Sequence, residues 1–405
     1  MKKKKVAIIG AGISGLTAAL YLKRANIPFE VFEKTAEVGG RMKSELVEGL
    51  IVDHGFQIFL TSYPEALSVV NYADLEFTPL TKGFTLCKNK KKYFLEYPNG
   101  RYRNVFNMLR YPFMDIKSLW NMAKIVVYLR STSLKKIFSQ KDIPTHKFLK
   151  NRGLSDDFIS HTLQPFLKGI FLENNLETSS KVFQYVLKMM LSGSIVVPTN
   201  GMGAIPKQLY KNIGTNYFHF FKSLEKIENE NLFFEDGYKT SADFIIDTRP
   251  KTFQKKANQN SLFVFITPNK VLKACELAVF ENNPLGISNL VQFSNLYVNS
   301  RDVEYIGISV NNKVSESNKL DSKKILEYIT NYFDTTDWKW IKTHHIPYGL
   351  NNQEQVNYSY KKEIMAQKEK TYLAGDWNLY GSTNAAIHSG KCAAEAIIRR
   401  VNTNI

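Results

Sequence analysis

The 405-residue chain has three cysteines, Cys87, Cys275 and Cys392. They are far apart and odd in number, which excludes a disulfide framework and a CxxC zinc or redox pair and fits a reducing compartment. Beyond the N-terminus no stretch approaches the ~18 uninterrupted apolar residues of a membrane span. The N-terminus imitates a signal peptide: Met1 and four lysines precede a mostly apolar run over 6–22. It lacks the small-residue cleavage site, so the expected location is cytoplasmic rather than secreted. Repeats and low-complexity linkers are absent as well. Acidic residues are scarce, 37 against 54 lysines and arginines, a formal charge of +17 that points to an anionic partner or surface. With 44% hydrophobic and 22% charged residues, wholesale disorder is excluded. The length suggests two to three domains with a large core.

Val6-Ala7-Ile8-Ile9 reads as a short buried strand, followed by glycines and a helix through Arg24. Asn26-Ile27-Pro28 breaks the helix, and Phe29-Glu30-Val31-Phe32 reads as a second strand, so the opening unit is a right-handed βαβ crossover in a parallel sheet. Gly10-Ala11-Gly12-Ile13-Ser14-Gly15 joins strand to helix in the pattern GxGxxG. The first glycine permits the tight turn, the second lets backbone approach a pyrophosphate, and the third packs helix on strand. Glu33 ends the second strand, where a carboxylate can accept hydrogen bonds from a ribose. These features point to a dinucleotide, and up to here NAD and FAD fit equally. Further on, residues 197–203 read as a loop before a helix over 205–211, residues 233–238 as a hairpin and residues 242–247 as a buried strand. Residues 260–310 alternate like antiparallel strands, and the tail reads as a strand over 372–374 and a helix over 385–400.

Four further segments distinguish the two cofactors: Val38-Gly39-Gly40-Arg41-Met42, Asp53-His54-Gly55-Phe56, Tyr372-Leu373-Ala374-Gly375-Asp376, and Gly381 to Gly390. With them the chain resembles the FAD-dependent amine oxidase superfamily, which also holds phytoene desaturases and protoporphyrinogen oxidase. The resemblance implies that Gly10, Gly12 and Gly15 hold the FAD pyrophosphate and Glu33 the adenosine ribose, with Ile13, Ser14 and Lys34 beside them. It places Gly40, Arg41 and Met42 along the pyrophosphate and flavin, and Asp376, after Gly375, on a ribityl or phosphate oxygen. The helix starting near Asn384, with Ala385 and Ile387, would direct its N-terminus at the flavin, where a helix dipole stabilises developing negative charge. A backbone contact to adenine is expected near Leu224. Cys392 falls in the last helix, in the wrong context for a flavin linkage, so FAD is expected to be non-covalent. The expected pocket residues are His54, Phe56, Gln57, Tyr348 and Trp377. His344 and His345 are adjacent, a poor pattern for one metal ion, and no metal is assigned.

The charge is concentrated. Residues 82–152 carry seventeen lysines and arginines against three acids, a local charge of +14 interleaved with aromatics. Residues 104–138 have helical periodicity with only Pro112 as a breaker. No helix-turn-helix, RNP or zinc pattern supports nucleic acid. A basic helix on an anionic membrane surface, an acidic substrate and an ordinary solvated helix remain open.

The expected fold class is therefore α/β (α+β overall): a Rossmann-like FAD-binding domain over 1–80, 195–255 and 345–405, and a discontinuous substrate domain of mixed sheet and helices over 81–194 and 256–344. The expected activity is FAD-dependent dehydrogenation of a lipophilic substrate, phytoene desaturase-like. Amine oxidation is the enzymatic alternative, and non-catalytic prenyl-lipid escort the alternative of another class. Without a second GxGxxG for a nicotinamide donor, dioxygen or a quinone is the expected electron acceptor.

Overall fold

The computed structural model describes residues 4–96, 111–250, 257–298, 301–311, 321–359, 366–368 and 370–403. The four residues of the Val6–Ile9 strand are all apolar and buried, as required of a parallel strand covered on both faces. It pairs in parallel with Phe29–Phe32 on one side and Phe244–Asp247 on the other. Phe218–His219 and Thr371–Leu373 extend this sheet in parallel, and Ala366–Lys368 closes one edge antiparallel. Its six strands thus come from the N-terminal, central and C-terminal parts of the chain, the expected α/β arrangement.

The first helix, Ile13–Arg24, begins at Gly12 and ends where Asn26 turns left-handed at φ 55°. At Gly15 a Cβ would sit 2.0 Å from the Gly10 carbonyl oxygen, so only glycine lets this helix leave the strand so closely. Against it lies the C-terminal helix, Thr383–Thr403, through small buried residues Ala385, Ala386, Ala393 and Ala394.

A second sheet has seven strands, in the order Lys339–Leu350, Asn258–Thr267, Glu304–Asn311, Ile287–Gln292, Leu277–Phe280, Gly83–Lys88 and Lys91–Glu96. All neighbours are antiparallel except Leu277–Phe280 with Gly83–Lys88. Alternation had indicated the antiparallel strands between 260 and 310. The two strands within the basic segment went unrecognised, because the exposed face of Lys91–Glu96 reads as a charge run.

The helix expected over 104–138 is corrected. Residues 104–110, like Tyr97, Tyr102 and Phe106, lie outside the described residues. Beyond them are two helices, Ile116–Ser131 and Leu134–Phe138. Thr132 adopts extended backbone between them, its hydroxyl donating to the Tyr128 carbonyl at 2.6 Å, while the Ser133 side chain caps the second helix through Lys136 N–H. Hydroxyl side chains that compete for backbone groups end the helix where periodicity alone would continue it. Ser180–Ser192 packs behind Ile116–Ser131. Among the described residues no helix is long and apolar enough to cross a membrane.

Candidate active site

A cavity of about 1070 Å³ runs from the carboxyl end of the parallel sheet to the face of the seven-stranded sheet. That exceeds the ~300–1,000 Å³ of ordinary small-ligand pockets. One end is built by the first βαβ turn. Gly10 N–H donates to the Phe32 carbonyl at 2.8 Å and Gly39 N–H to Ala11 at 2.9 Å, drawing the two turns together. No side chain caps the first helix, and its first turn holds no acid, so its backbone donors and positive dipole face the cavity through Gly12, Ile13 and Ser14. Glu33 is buried, accepting from Ala11 N–H at 2.8 Å and from Thr35 N–H at 2.9 Å, and so holds the turn as well as lining the cavity beside Lys34. Leu224, at the start of the Leu224–Glu228 strand, also lines this end, and its carbonyl accepts from Arg249 Nη1 at 2.8 Å.

Midway, Gly40 (φ 61°) faces Gly12, and a Cβ there would come within 3.2 Å of Gly12 Cα. Both glycines line the cavity, so the joined turns present backbone without side chains, the cradle a pyrophosphate needs. Arg41 donates to Asp376 in a tight ion pair and to the Gly349 carbonyl at 3.1 Å, and its guanidinium lies 4.9 Å from the Tyr348 ring centre. Met42, His54, Phe56, Gln57, Tyr348, Gly375, Asp376 and Trp377 share this part of the wall. Gln57 is held by donating to the Arg41 carbonyl at 2.9 Å. The Tyr348 hydroxyl has no hydrogen-bond partner, and burial pushes it up to about 12.

Four expected residues do not reach the cavity. Gly15 packs against the Gly10 turn, and Asn384, Ala385 and Ile387 lie behind the wall. Asn384 accepts from Glu65 N–H at 2.9 Å and donates to the Tyr380 hydroxyl at 3.1 Å. The C-terminal helix instead presents Thr383 and Ala386, preceded by Ser382.

The far end is apolar: Leu80, Phe166, Ile170, Val186, Met190, Leu277 and Val279. Asn260, Asn289 and Ser309 interrupt it on the sheet face, all of them buried. Glu33 and Asp376 are the only carboxylates on the cavity wall among the described residues, Glu33 at the glycine-turn end and Asp376 midway beside Arg41.

The profile of the family described as flavin containing amine oxidoreductase matches residues 13–251. The chain belongs to this family. It is a flavin-dependent oxidoreductase, and the non-catalytic escort alternative is set aside. Among relatives of this flavoenzyme, a mitochondrial protoporphyrinogen oxidase of Nicotiana tabacum is 26% identical over 170 residues, 41% of this chain and 32% of that protein. A hydroxysqualene dehydroxylase of Sinorhizobium fredii is 45% identical over 60 residues, 14% of each chain. The matches thus span a third or less of these relatives. The crystal structure of an oxidoreductase from Methanosarcina mazei superposes with a TM-score of 0.71 at 14% identity, over 96% of this chain and all of that one, a likeness of fold.

The donor set fits a flavin dinucleotide: uncapped helix donors and a glycine cradle for phosphate, a carboxylate at the ribose end, and an apolar chamber beyond. Bound there, the flavin would supply the hydride acceptor, while the protein orients the substrate and excludes water. Lys222, Ser223, Thr248 and Arg249 also line the dinucleotide end and were not anticipated. Thr248 and Arg249 follow a recognised parallel strand at its carboxyl end, where such folds bind ligands, so that signal was available. Asn260, Asn289 and Ser309 sit on strands whose register decides which face meets the cavity.

His54 joins a second group. Its Nε2 lies 3.6 Å from Glu45 Oε2, and His344 Nε2 lies 3.2 Å from Glu45 Oε1. Burial, together with His54 nearby, depresses His344 to about 4.

Proposed function

We infer that this oxidoreductase binds FAD non-covalently and dehydrogenates a neutral, lipophilic substrate, in the manner of the phytoene desaturase-type members. The observation that carries the reading is the placement of charge on the cavity wall. Among the described residues the apolar chamber contains no carboxylate, Glu33 being engaged at the glycine-turn end and Asp376 midway, paired with Arg41. A cationic amine would enter it without a counter-charge, at a large desolvation cost. A hydrocarbon skeleton fits, and Asn260, Asn289 and Ser309 offer one neutral polar spot for a hydroxyl. The similarity to a hydroxysqualene dehydroxylase agrees with a hydroxylated, lipophilic substrate. FAD rather than a smaller flavin is supported by the extent of the site, from the chamber to Glu33. Non-covalent binding is supported by the three cysteines, none of which lines the cavity. Dioxygen or a quinone would reoxidise the flavin.

The test is a visible spectrum before and after heat denaturation, then anaerobic mixing with a detergent-solubilised neutral polyene or hydroxylated isoprenoid and, separately, with primary amines. Flavin bands released to the supernatant as FAD, and bleached by the isoprenoid alone, are expected. Bands retained in the pellet, or bleaching by amines alone, would move the protein to the amine oxidases. A colourless protein that takes up no added FAD would overturn the cofactor assignment.

A further inference from the structure

We propose that Glu45, His54 and His344 form a zinc-binding site at the edge of the cavity. The three residues come from three elements. Glu45 lies in the Ser44–Val47 strand, His54 directly follows its hairpin partner Leu50–Asp53, and His344 lies in Lys339–Leu350 of the seven-stranded sheet. The hairpin register sets Glu45 opposite Val52, and His54 N–H donates to the Lys43 carbonyl at 2.9 Å, which fixes the imidazole beside the carboxylate. One donor atom from each residue can be chosen so that all three lie within 4.8 Å of one another.

The spacing is compatible with ligands of one ion. Zinc bonds of about 2.0–2.1 Å at tetrahedral angles put donor atoms roughly 3.3 Å apart. Here His344 Nε2 stands 3.2 Å from Glu45 Oε1 and His54 Nε2 3.6 Å from Oε2, so each imidazole meets its own oxygen of the one carboxylate. The two rings stack with centres 4.5 Å apart and 26° between planes, and each Nε2 approaches an oxygen of the same carboxylate.

A second observation is independent of the spacing. His344 Nε2 is buried and has no hydrogen-bond partner, and its side chain is only 10% exposed. An imidazole nitrogen held dry and aimed at a carboxylate without a proper hydrogen bond is a costly arrangement that a metal bond would satisfy. His345 points to the other side of its strand, where its Nδ1 meets Ser261 Oγ at 2.9 Å.

Lys342 completes the surroundings. Its ammonium reaches Glu45 Oε1 at 2.6 Å, and its side chain is 40% exposed, so it can swing into water when a divalent ion takes the carboxylate. Two histidines and one carboxylate suit zinc and leave a fourth position for water. Such an ion would tie the hairpin to the long strand. Those elements lead into Gly55 and Phe56 on one side and Ile346 and Tyr348 on the other, all on the cavity wall.

The test uses the purified full-length flavoprotein, stripped with chelator, incubated with zinc and passed through a desalting column. One zinc per chain is expected, and cobalt in its place should give ligand-field bands at wavelengths beyond the flavin absorption. His54→Ala and His344→Ala should each weaken zinc at least ~10-fold, and Lys342→Ala should tighten it. His345→Ala, the control on the same strand, should retain zinc. Flavin content and the melting curve establish that each variant is folded. Failure of the wild-type protein to retain stoichiometric zinc would overturn the proposal, as would undiminished retention in the His54→Ala/His344→Ala double variant. Equal loss in His345→Ala would also overturn it, since the strand rather than its ligands would then be responsible.

Discussion

Asp53 shows how one buried charge organises the wall. It is 1% exposed and accepts from Met202 N–H at 3.0 Å, from the Tyr297 hydroxyl at 2.7 Å and from the Ser44 hydroxyl. It thereby ties the first hairpin to the 201–203 turn and to the seven-stranded sheet region. Burial outweighs these donors and raises its pKa from 3.8 to about 6. Between those values the folded protein keeps a proton that the unfolded chain releases, so the contribution of Asp53 to stability is full below about pH 4 and is lost as pH rises through about 6. Asp53→Asn removes that titration. The stability of the wild type relative to Asp53→Asn should therefore grow as pH falls from 6 to 4, by up to about 3 kcal/mol. Denaturant unfolding of both proteins across this range checks it, and a difference independent of pH would contradict the assignment.

The helix Ile116–Ser131 is unusual at the scale of an element. Ser118, Ile125 and Leu129 are buried against the fold. On the opposite side Ile116, Trp120 and Val127 are 74%, 65% and 67% exposed, in one stripe with Ala123 at the four-three-four spacing of a helix face. Lys117, Lys124 and Arg130 flank the stripe, and Lys124 lies over the Trp120 ring. In the fold the outward face is itself apolar with a basic rim. That is the pattern of a helix lying in an anionic bilayer surface, and we propose that this helix attaches the protein to one. Vesicles containing an anionic phospholipid should bind the protein more weakly as salt rises. Trp120→Ser with Val127→Ser should reduce binding about tenfold at an unchanged melting temperature. Equal partitioning of wild type and double variant in a flotation assay would refute it.

Across the whole molecule the connectivity is interleaved. The parallel sheet collects strands from residues near 6, 30, 218, 245 and 371, and the C-terminal helix covers the first helix. The last segment supplies Gly375, Asp376 and Trp377 as well as the Ser382–Thr383 helix entrance to the cavity. A chain ending after residue 365 should accordingly leave a sheet edge and an apolar helix face uncovered, and yield protein that is aggregated and free of flavin. Size-exclusion chromatography and flavin content of the truncated chain check this. A monomeric, yellow product would show that the N-terminal portion holds the cofactor alone.

The local features were legible in the sequence because they depend on neighbours in the chain. Steric freedom at Gly10, Gly12 and Gly15, the apolar run of Val6–Ile9 and the carboxylate of Glu33 sufficed to indicate the βαβ turn and a dinucleotide, and the motifs at both ends of the chain identified the superfamily. Tertiary structure decided what depends on distant partners. It turned Asn384, Ala385 and Ile387 away from the cavity, because helix phase is set by packing against Ile13–Arg24. It left the chamber without a carboxylate among the described residues, a property of a surface assembled from several elements. It also drew His344 away from its chain neighbour His345 and toward Glu45 and His54, because successive residues of a strand face opposite ways and a partner must come from another strand.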